Sequence, residues 1–280
     1  MQTLTNLPAS AGMSLKPEYF DSVHTNLDAN LWFEVHAENY LIQGGPRLEQ
    51  IQEISSHFPI SIHGVGASLG GPDPISQEHL SRLVSLLNLI PAAVFSEHIA
   101  WSGTQSNYLG NLMPTPITKD SIDSTAKNIM QLQNALQRPI LIENPANYLS
   151  FKSDMPESEF MMSLVDITGC GILLDINNLF ISANNTGIDP HSYIQGLNSD
   201  AIGEIHIAGH STDPNEKGLL IDSHDSDVSK GVWELLETLL SHTGPKPVLI
   251  ERDGNLPTFE ALLAERNQAQ HLINSIKKIV

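Results

Sequence analysis

The chain has 280 residues, 40% of them hydrophobic, one cysteine, 12 histidines and a formal net charge of −18 at pH 7. That length and apolar content suit a folded α/β chain rather than a disordered one, and no run approaches the ~20 apolar residues that a membrane helix needs. A lone Cys170 excludes an internal disulfide and a Cys-rich zinc site, and the acidity argues against a nucleic-acid partner, because phosphate contacts need a basic face.

The opening residues MQTLTNLPASAGMSLKPEYF lack a basic segment followed by an apolar one, so no secretory signal is expected and the cytoplasm is the expected compartment. Residues 12–16 (GMSLK) predict a first strand and 17–30 a first helix. Seven short apolar runs follow, each closed by a side chain able to bind metal: LWFEVH to His36, ISIH to His63, AVFSEH to His98, ILIE to Glu143, ILLD to Asp175, IGEIH to His206 and VLIE to Glu251. Helical patterns cover 47–57, 76–89, 119–137, 156–168, 189–197, 228–242 and 258–278, several opened or preceded by proline (Pro17, Pro74, Pro156, Pro190, Pro257). Two long loops, 101–116 and 209–228, follow the His98 and His206 strands. Long ordered loops in a compact fold often carry function. Strand–helix alternation without a linker predicts one α/β domain over 1–280, a (β/α)₈ TIM barrel with its core from about 12 to 278.

In such a barrel all strand C-termini open on one face, and that face carries the chemistry. Imidazole and carboxylate ligands without thiolate suit zinc, manganese or iron, and several carboxylates can bridge two ions. Asp175-Ile-Asn-Asn178 places a carboxylate at a strand end and an amide where a loop is expected to start. His206-Ile-Ala-Gly-His210 offers two imidazoles about a bend that Gly209 permits. Asp222-Ser-His224, read as extended backbone, turns both side chains the same way. A strand-end histidine taken singly is more often a hydrogen-bonded residue than a ligand, and His36, alternating with Glu34 and Glu38, reads as barrel lining. Convergence carries the metal reading: His63, His98, Glu143, Asp175, His206 and Glu251 end six different strands, and burying such carboxylates without a cation is unfavourable. Cys170, before the Asp175 strand, reads as core packing.

Phe33-Glu-Val-His-Ala-Glu-Asn-Tyr40, His63-Gly-Val, Ser96-Glu-His-Ile-Ala-Trp101, Glu143-Asn-Pro, Leu174-Asp-Ile-Asn-Asn178, His206-Ile-Ala-Gly-His210, Ile221-Asp-Ser-His-Asp225 and Leu249-Ile-Glu-Arg-Asp253 stand in the order found in the multinuclear non-haem iron-dependent oxidative enzymes. The chain resembles that family, which includes the methanobactin-biosynthesis oxidase, from about residue 12 to about 257. The resemblance implies a TIM barrel related to xylose isomerases and endonuclease IV. It implies one iron on His63, His98 and Glu143, and a second on Glu143, Asp175, His206 and Glu251, with Glu143 bridging. A third, more weakly held iron would use Asn178, His210, Asp222 and His224. Glu97 stands where many relatives carry Asp, a change beside the ligand set rather than in it. The family uses O₂ and mixed-valent iron to modify cysteines of ribosomally made precursor peptides, usually with a leader-binding partner protein. A thiol-free site leaves the soft ligand position to a substrate thiolate. Glu38, Asn39, Asn144, Arg252 and Asp253 are candidates for catalysis or substrate contact; for Arg252 and Asp253 a structural ion pair at the rim is an equal alternative. The rival functions are a zinc or manganese phosphoesterase, a sugar isomerase or epimerase, and a non-catalytic metal store.

Overall fold

The computed structural model describes residues 4–25, 30–104 and 108–277. Strands β1 (Ala11–Ser14), β2 (Phe33–His36), β3 (Ile60–Gly64) and β4 (Ala92–His98) are separated by a single turn α1 (Phe20–Val23), then by α2 (Pro46–Ser55) and α3 (Gln77–Leu89). A hairpin of β5 (Ala100–Gly103) and β6 (Tyr108–Pro114) leads to α4 (Lys119–Leu136) and β7 (Leu141–Glu143). Next come α5 (Glu157–Thr168), β8 (Gly171–Asp175), α6 (Ile176–Thr186), the short α7 (Pro190–Gln195) and β9 (Ile202–Ala208). A small ladder of β10 (Ser211–Thr212) and β11 (Leu220–Ile221) precedes α8 (Lys230–Thr243), β12 (Val248–Glu251) and α9 (Phe259–Lys277).

Eight strands close a barrel in the order β1-β12-β9-β8-β7-β4-β3-β2, every neighbouring pair parallel. This is the expected TIM barrel. Side chains alternate across each strand. Phe33, Val35, Ile60, Ile62, Leu174 and Ile250 belong to the main core, where the helices cover the sheet. Trp32, Val94, Leu141, Leu173 and Leu249 form a separate apolar cluster that floors the barrel. Trp32 fits only because Gly12 has no side chain: a Cβ there would lie 2.3 Å from the indole Cδ2. Above this floor the inward positions turn polar, and the strand ends carry the site. Among the described residues no helix is long and apolar enough to cross a membrane.

Several local expectations are corrected. The first strand runs Ala11–Ser14 rather than 12–16, and the helix expected over 17–30 is a 3₁₀ turn (Pro17–Tyr19) followed by α1. The hydroxyl of Thr25 donates to the Ser22 carbonyl at 2.8 Å, a local bond that competes with helix continuation; residues 26–29 of that expected helix lie outside the described residues. The segment after Asp175, read as a loop, is helix α6. Its asparagines weaken the helical signal in sequence, yet Asp175 caps it by accepting the Asn178 N–H at 2.6 Å, and Ile176, Leu179 and Ile181 are all buried. The Asp222–His224 segment is not extended throughout, since His224 has a left-handed φ of 48°. Its side chain still meets Asp222.

Candidate metal centre

Parallel register sets the site's layout. His36 lies level with His63, His63 with Ser96, His98 with Glu143 and Asp175 with His206. His63 Nε2 is 3.0 Å from His98 Nε2 and 3.2 Å from Glu143 Oε2, while His98 Nδ1 is 3.0 Å from the same oxygen. Glu143, Asp175 and His206 bring ligand atoms within 4.8 Å of one another, and His206 Nδ1 is 3.2 Å from Glu251 Oε2. Glu143 thus belongs to both groups. Asn178 lies alongside, its Nδ2 donating to the Asn144 carbonyl at 3.1 Å and approaching Glu143 Oε1 at 3.5 Å.

Toward the rim, His224 Nε2 is 2.6 Å from Asp222 Oδ1, and its Nδ1 is 3.4 Å from Glu251 Oε1 and 3.3 Å from Asp253 Oδ2. His210 joins through an intermediary: its Nδ1 is 2.8 Å from Asn177 Oδ1, and Asn177 Nδ2 donates to Asp222 Oδ1 at 2.9 Å. The backbone can deliver His210 there because Gly209 passes against the Ser226 carbonyl, 2.0 Å from where a Cβ would stand.

The electrostatics and hydrogen bonding of the centre bear on whether a cation fits it. Burial, helped by His98 and His206, holds His63 well below the usual imidazole range, and burial takes His98 down to about 4. Both are therefore neutral at pH 7, the form that ligates metal. Burial pushes the Glu143 carboxyl well above its ordinary range, and burial with the Asp222 charge takes Asp175 up to about 7. Burial opposes charge on Glu251 and His224, but the two are attracted to each other strongly enough that Glu251 is held well below and His224 well above its usual value. Buried without a hydrogen-bond partner are His98 Nδ1, Glu143 Oε2, Asp175 Oδ2, Asn178 Oδ1, His206 Nδ1 and His224 Nε2. Buried polar atoms are normally satisfied, and these converge. A cation among them would answer the unpaired atoms of His98, Glu143, Asp175 and Asn178 and the raised carboxyls, and would take the place of the protons that nearby carboxylates hold on His206 and His224, so the residues present fit bound metal.

The remaining candidates are placed as follows. Asn144 braces the next strand end: its Oδ1 accepts the Asp175 N–H at 2.9 Å and its Nδ2 donates to the Asp175 carbonyl at 3.0 Å. Asp253 joins His224 to Lys16 Nζ, 2.5 Å away. Arg252 is buried with its guanidinium on Asp227 (2.6 Å) and Glu265 (3.6 Å), neither of them a candidate ligand. Glu38 accepts the Val65 N–H at 3.2 Å and groups with His79 and Glu97, while Asn39 is exposed in the turn after β2. Glu97 is buried and accepts the backbone N–H groups of Ala67 and His98, both at 3.2 Å.

Reading strand ends alone misses a layer below them. Ser96 Oγ lies 2.8 Å from His63 Nδ1, and Glu34, Ser61 and Glu204 cluster behind His206. The signal for them is period two: Glu34, Ser61, Ser96 and Glu204 each stand two residues before a strand-end histidine and so face the same way. Leu141, Leu173 and Leu249 hold the same position before Glu143, Asp175 and Glu251. An imidazole has a second nitrogen to satisfy; a carboxylate can rest on an apolar floor.

A family model described as the RiPP precursor modification enzyme MbnB/TglH/ChrH matches residues 10–274. The chain belongs to the MbnB/TglH/ChrH family. Members modify precursors of ribosomally synthesised peptides, so the expected family assignment holds and a precursor peptide is the substrate class it implies. Relatives include the UPF0276 protein of Caulobacter vibrioides, 43% identical over 267 residues and 95% of each chain, and that of Bordetella bronchiseptica, 42% identical over 265 residues, 94% of this chain and 92% of the relative. Among solved structures, endonuclease IV from Thermus thermophilus aligns with a TM-score of 0.59 at 14% identity over 97% of this chain and all of that one. A Clostridium cellulolyticum D-psicose 3-epimerase reaches 0.61 at 10% identity, over 95% and 99%. At such identities these two likenesses speak for the fold alone.

Proposed function

We propose that this chain is an iron- and O₂-dependent oxidase that modifies cysteine residues of a ribosomally made precursor peptide, presented with a leader-binding partner protein. One iron is assigned to His63, His98 and Glu143, and a second to Glu143, Asp175, His206 and Glu251. A third, more weakly held, is assigned to Asn178, His210, Asp222 and His224. The observation that carries the reading is the donor set: buried nitrogen and oxygen atoms left without partners, grouped about a shared Glu143, with no thiol among them. Cys170 is 2% exposed before the first residue of β8, a strand length from the site, and burial pushes its thiol up to about 11. The soft ligand position is therefore open to a substrate thiolate.

Iron so bound supplies the redox chemistry with O₂, and the chain's own residues organise its surroundings. Ser96 fixes the ring of His63, so that Nε2 faces the site. Asn144 ties the Glu143 and Asp175 strand ends together, which holds the shared carboxylate in place. Asp253, charged and paired to Lys16, orients His224. Tyr148, whose hydroxyl accepts the Asp222 N–H at 3.1 Å, steadies the backbone that carries Asp222. The acidity of the chain weighs against a nucleic-acid phosphoesterase.

Protein purified anaerobically and loaded with Fe(II) is expected to consume O₂ only with a cognate Cys-containing peptide and its partner, and a Cys→Ser peptide is expected to remain unmodified. Efficient phosphoester hydrolysis by zinc-loaded, iron-free protein, without peptide-dependent O₂ uptake by the iron form, would move the assignment to the hydrolases.

A further inference from the structure

Beneath the metal-facing side chains lie two acidic residues that the assignments above leave without a role. Glu34 on β2 and Glu204 on β9 are 2% and 0% exposed. Among the described residues their ion-pair partner is His206 alone. Glu34 Oε2 stands 2.9 Å from Ser61 Oγ and 3.2 Å from His206 Nε2. Glu204 Oε2 stands 3.1 Å from the same hydroxyl, and its Oε1 is 3.7 Å from His206 Nε2. Oε1 of each glutamate is buried without a hydrogen-bond partner.

Ser61 has one hydroxyl proton for two carboxylates. Beside that hydroxyl, the donor that Glu34 Oε2 meets is the Nε2–H of His206. An imidazole that keeps its proton on Nε2 offers its lone pair at Nδ1, and Nδ1 is the atom that faces Glu251 Oε2 and lacks a hydrogen-bond partner. His63 is arranged the opposite way, with Nδ1 on the neutral hydroxyl of Ser96 and Nε2 toward His98 and Glu143. The two histidines thus present different nitrogens, and only His206 is backed by a carboxylate.

We propose that Glu34 is a positioning residue for His206. It accepts the Nε2–H, fixes the tautomer and ring angle so that Nδ1 enters the group of Glu143, Asp175 and Glu251, and makes the imidazole a stronger donor; the Ser61 hydroxyl, 2.9 Å away, holds Glu34 in place. A carboxylate bonded to the far nitrogen of a metal-bound histidine acts in this way elsewhere, and its loss typically weakens metal binding about 10–100-fold. The inference rests on the metal reading under Proposed function, and its test separates the two.

The full-length metal-free chain is titrated anaerobically with Co(II), whose ligand-field absorption reports each ion, and the same is done for Glu34→Gln and Ser96→Ala. Glu34→Gln is expected to weaken the His206-side ion about 10–100-fold and shift its absorption band, leaving the His63-side ion at wild-type affinity. Ser96→Ala is expected to show the reverse selectivity. Wild-type affinity for both ions in Glu34→Gln, or equal loss of both in a variant with wild-type circular dichroism, overturns the role given to Glu34. If Glu34→Gln does not fold, Ser61→Ala decides: it keeps the carboxylate but loosens it, so weakening confined to the His206-side ion supports the proposal and unchanged binding overturns it. A wild-type chain that binds no Co(II) overturns the metal reading itself, and this inference with it.

Discussion

His98 and Glu143 sit level on the adjacent parallel strands β4 and β7, with Nδ1 3.0 Å from Oε2. The same oxygen lies 3.2 Å from His63, one strand further round, and Glu143 also groups with Asp175 and His206 on the other side. One carboxylate therefore stands between two sets of donors. Glu143→Gln should weaken metal binding at both sets, roughly tenfold or more at each, whereas His63→Ala should spare the ion on the His206 side. Metal content after dialysis against a weak chelator distinguishes them, and equal losses in the two variants count against a bridging Glu143.

Metal binding should be linked to pH through the buried acids. Asp175 in the folded, metal-free chain has its carboxyl raised from 3.8 to about 7 by burial and then by Asp222. A raised carboxyl favours folding below its unfolded value, and that contribution is lost as the pH climbs from about 4 to about 7. His98, taken from 6.5 down to about 4 by burial, runs the other way, and its contribution is lost as the pH falls through that window. A bound cation replaces the proton on Asp175 and relieves the penalty at higher pH. Thermal unfolding with and without Zn(II) should show a larger metal-induced gain at pH 7.5 than at pH 5.5; a gain that does not change with pH argues against Asp175 as a ligand.

Cys170 should be catalytically silent. Its thiol is buried and held up at about 11, so it is neither a thiolate nor within reach of the site. Cys170→Ala is expected to lower stability by roughly 1 kcal/mol, as an ordinary small packing loss does, and to leave metal content and turnover unchanged. Chemical denaturation and a peptide-modification assay measure the two separately. Abolished turnover with intact metal content would place a redox thiol where the fold puts a packing residue.

Gly209→Ala should act on the rim group alone. An added Cβ would press on the Ser226 carbonyl and displace the turn that carries His210. The overpacking is expected to lower stability by about 1–3 kcal/mol and to loosen an ion on Asn178, His210, Asp222 and His224, while the His63-side ion stays. Metal stoichiometry at rising chelator concentration checks this, and loss of all ions together would mean that the turn supports the whole mouth.

The barrel was legible in the chain because its strands repeat one local pattern: a few apolar residues closed by a polar end. Alternation and parallel register are steric properties of the strand, so seven strand ends could be placed on one face without coordinates. Helix α6 was not legible, since its asparagines are weak helix formers and its stability comes from the Asp175 cap and the apolar side chains it buries. The pairing of side chains was also beyond sequence. Arg252 follows a candidate ligand directly in the chain, yet strand alternation turns it to Asp227 and Glu265 on the other side of the sheet. His210 meets Asp222 only through Asn177, which reaches both because the cap at Asp175 starts a helix there. The chain's residue types and periodicity by themselves determined the fold and a thiol-free set of donors. Closure of the barrel decided which nitrogen of each histidine faces the centre, because that depends on whether a Ser hydroxyl from the neighbouring strand, as at His63, or a Glu carboxylate from across the barrel, as at His206, lies behind the ring.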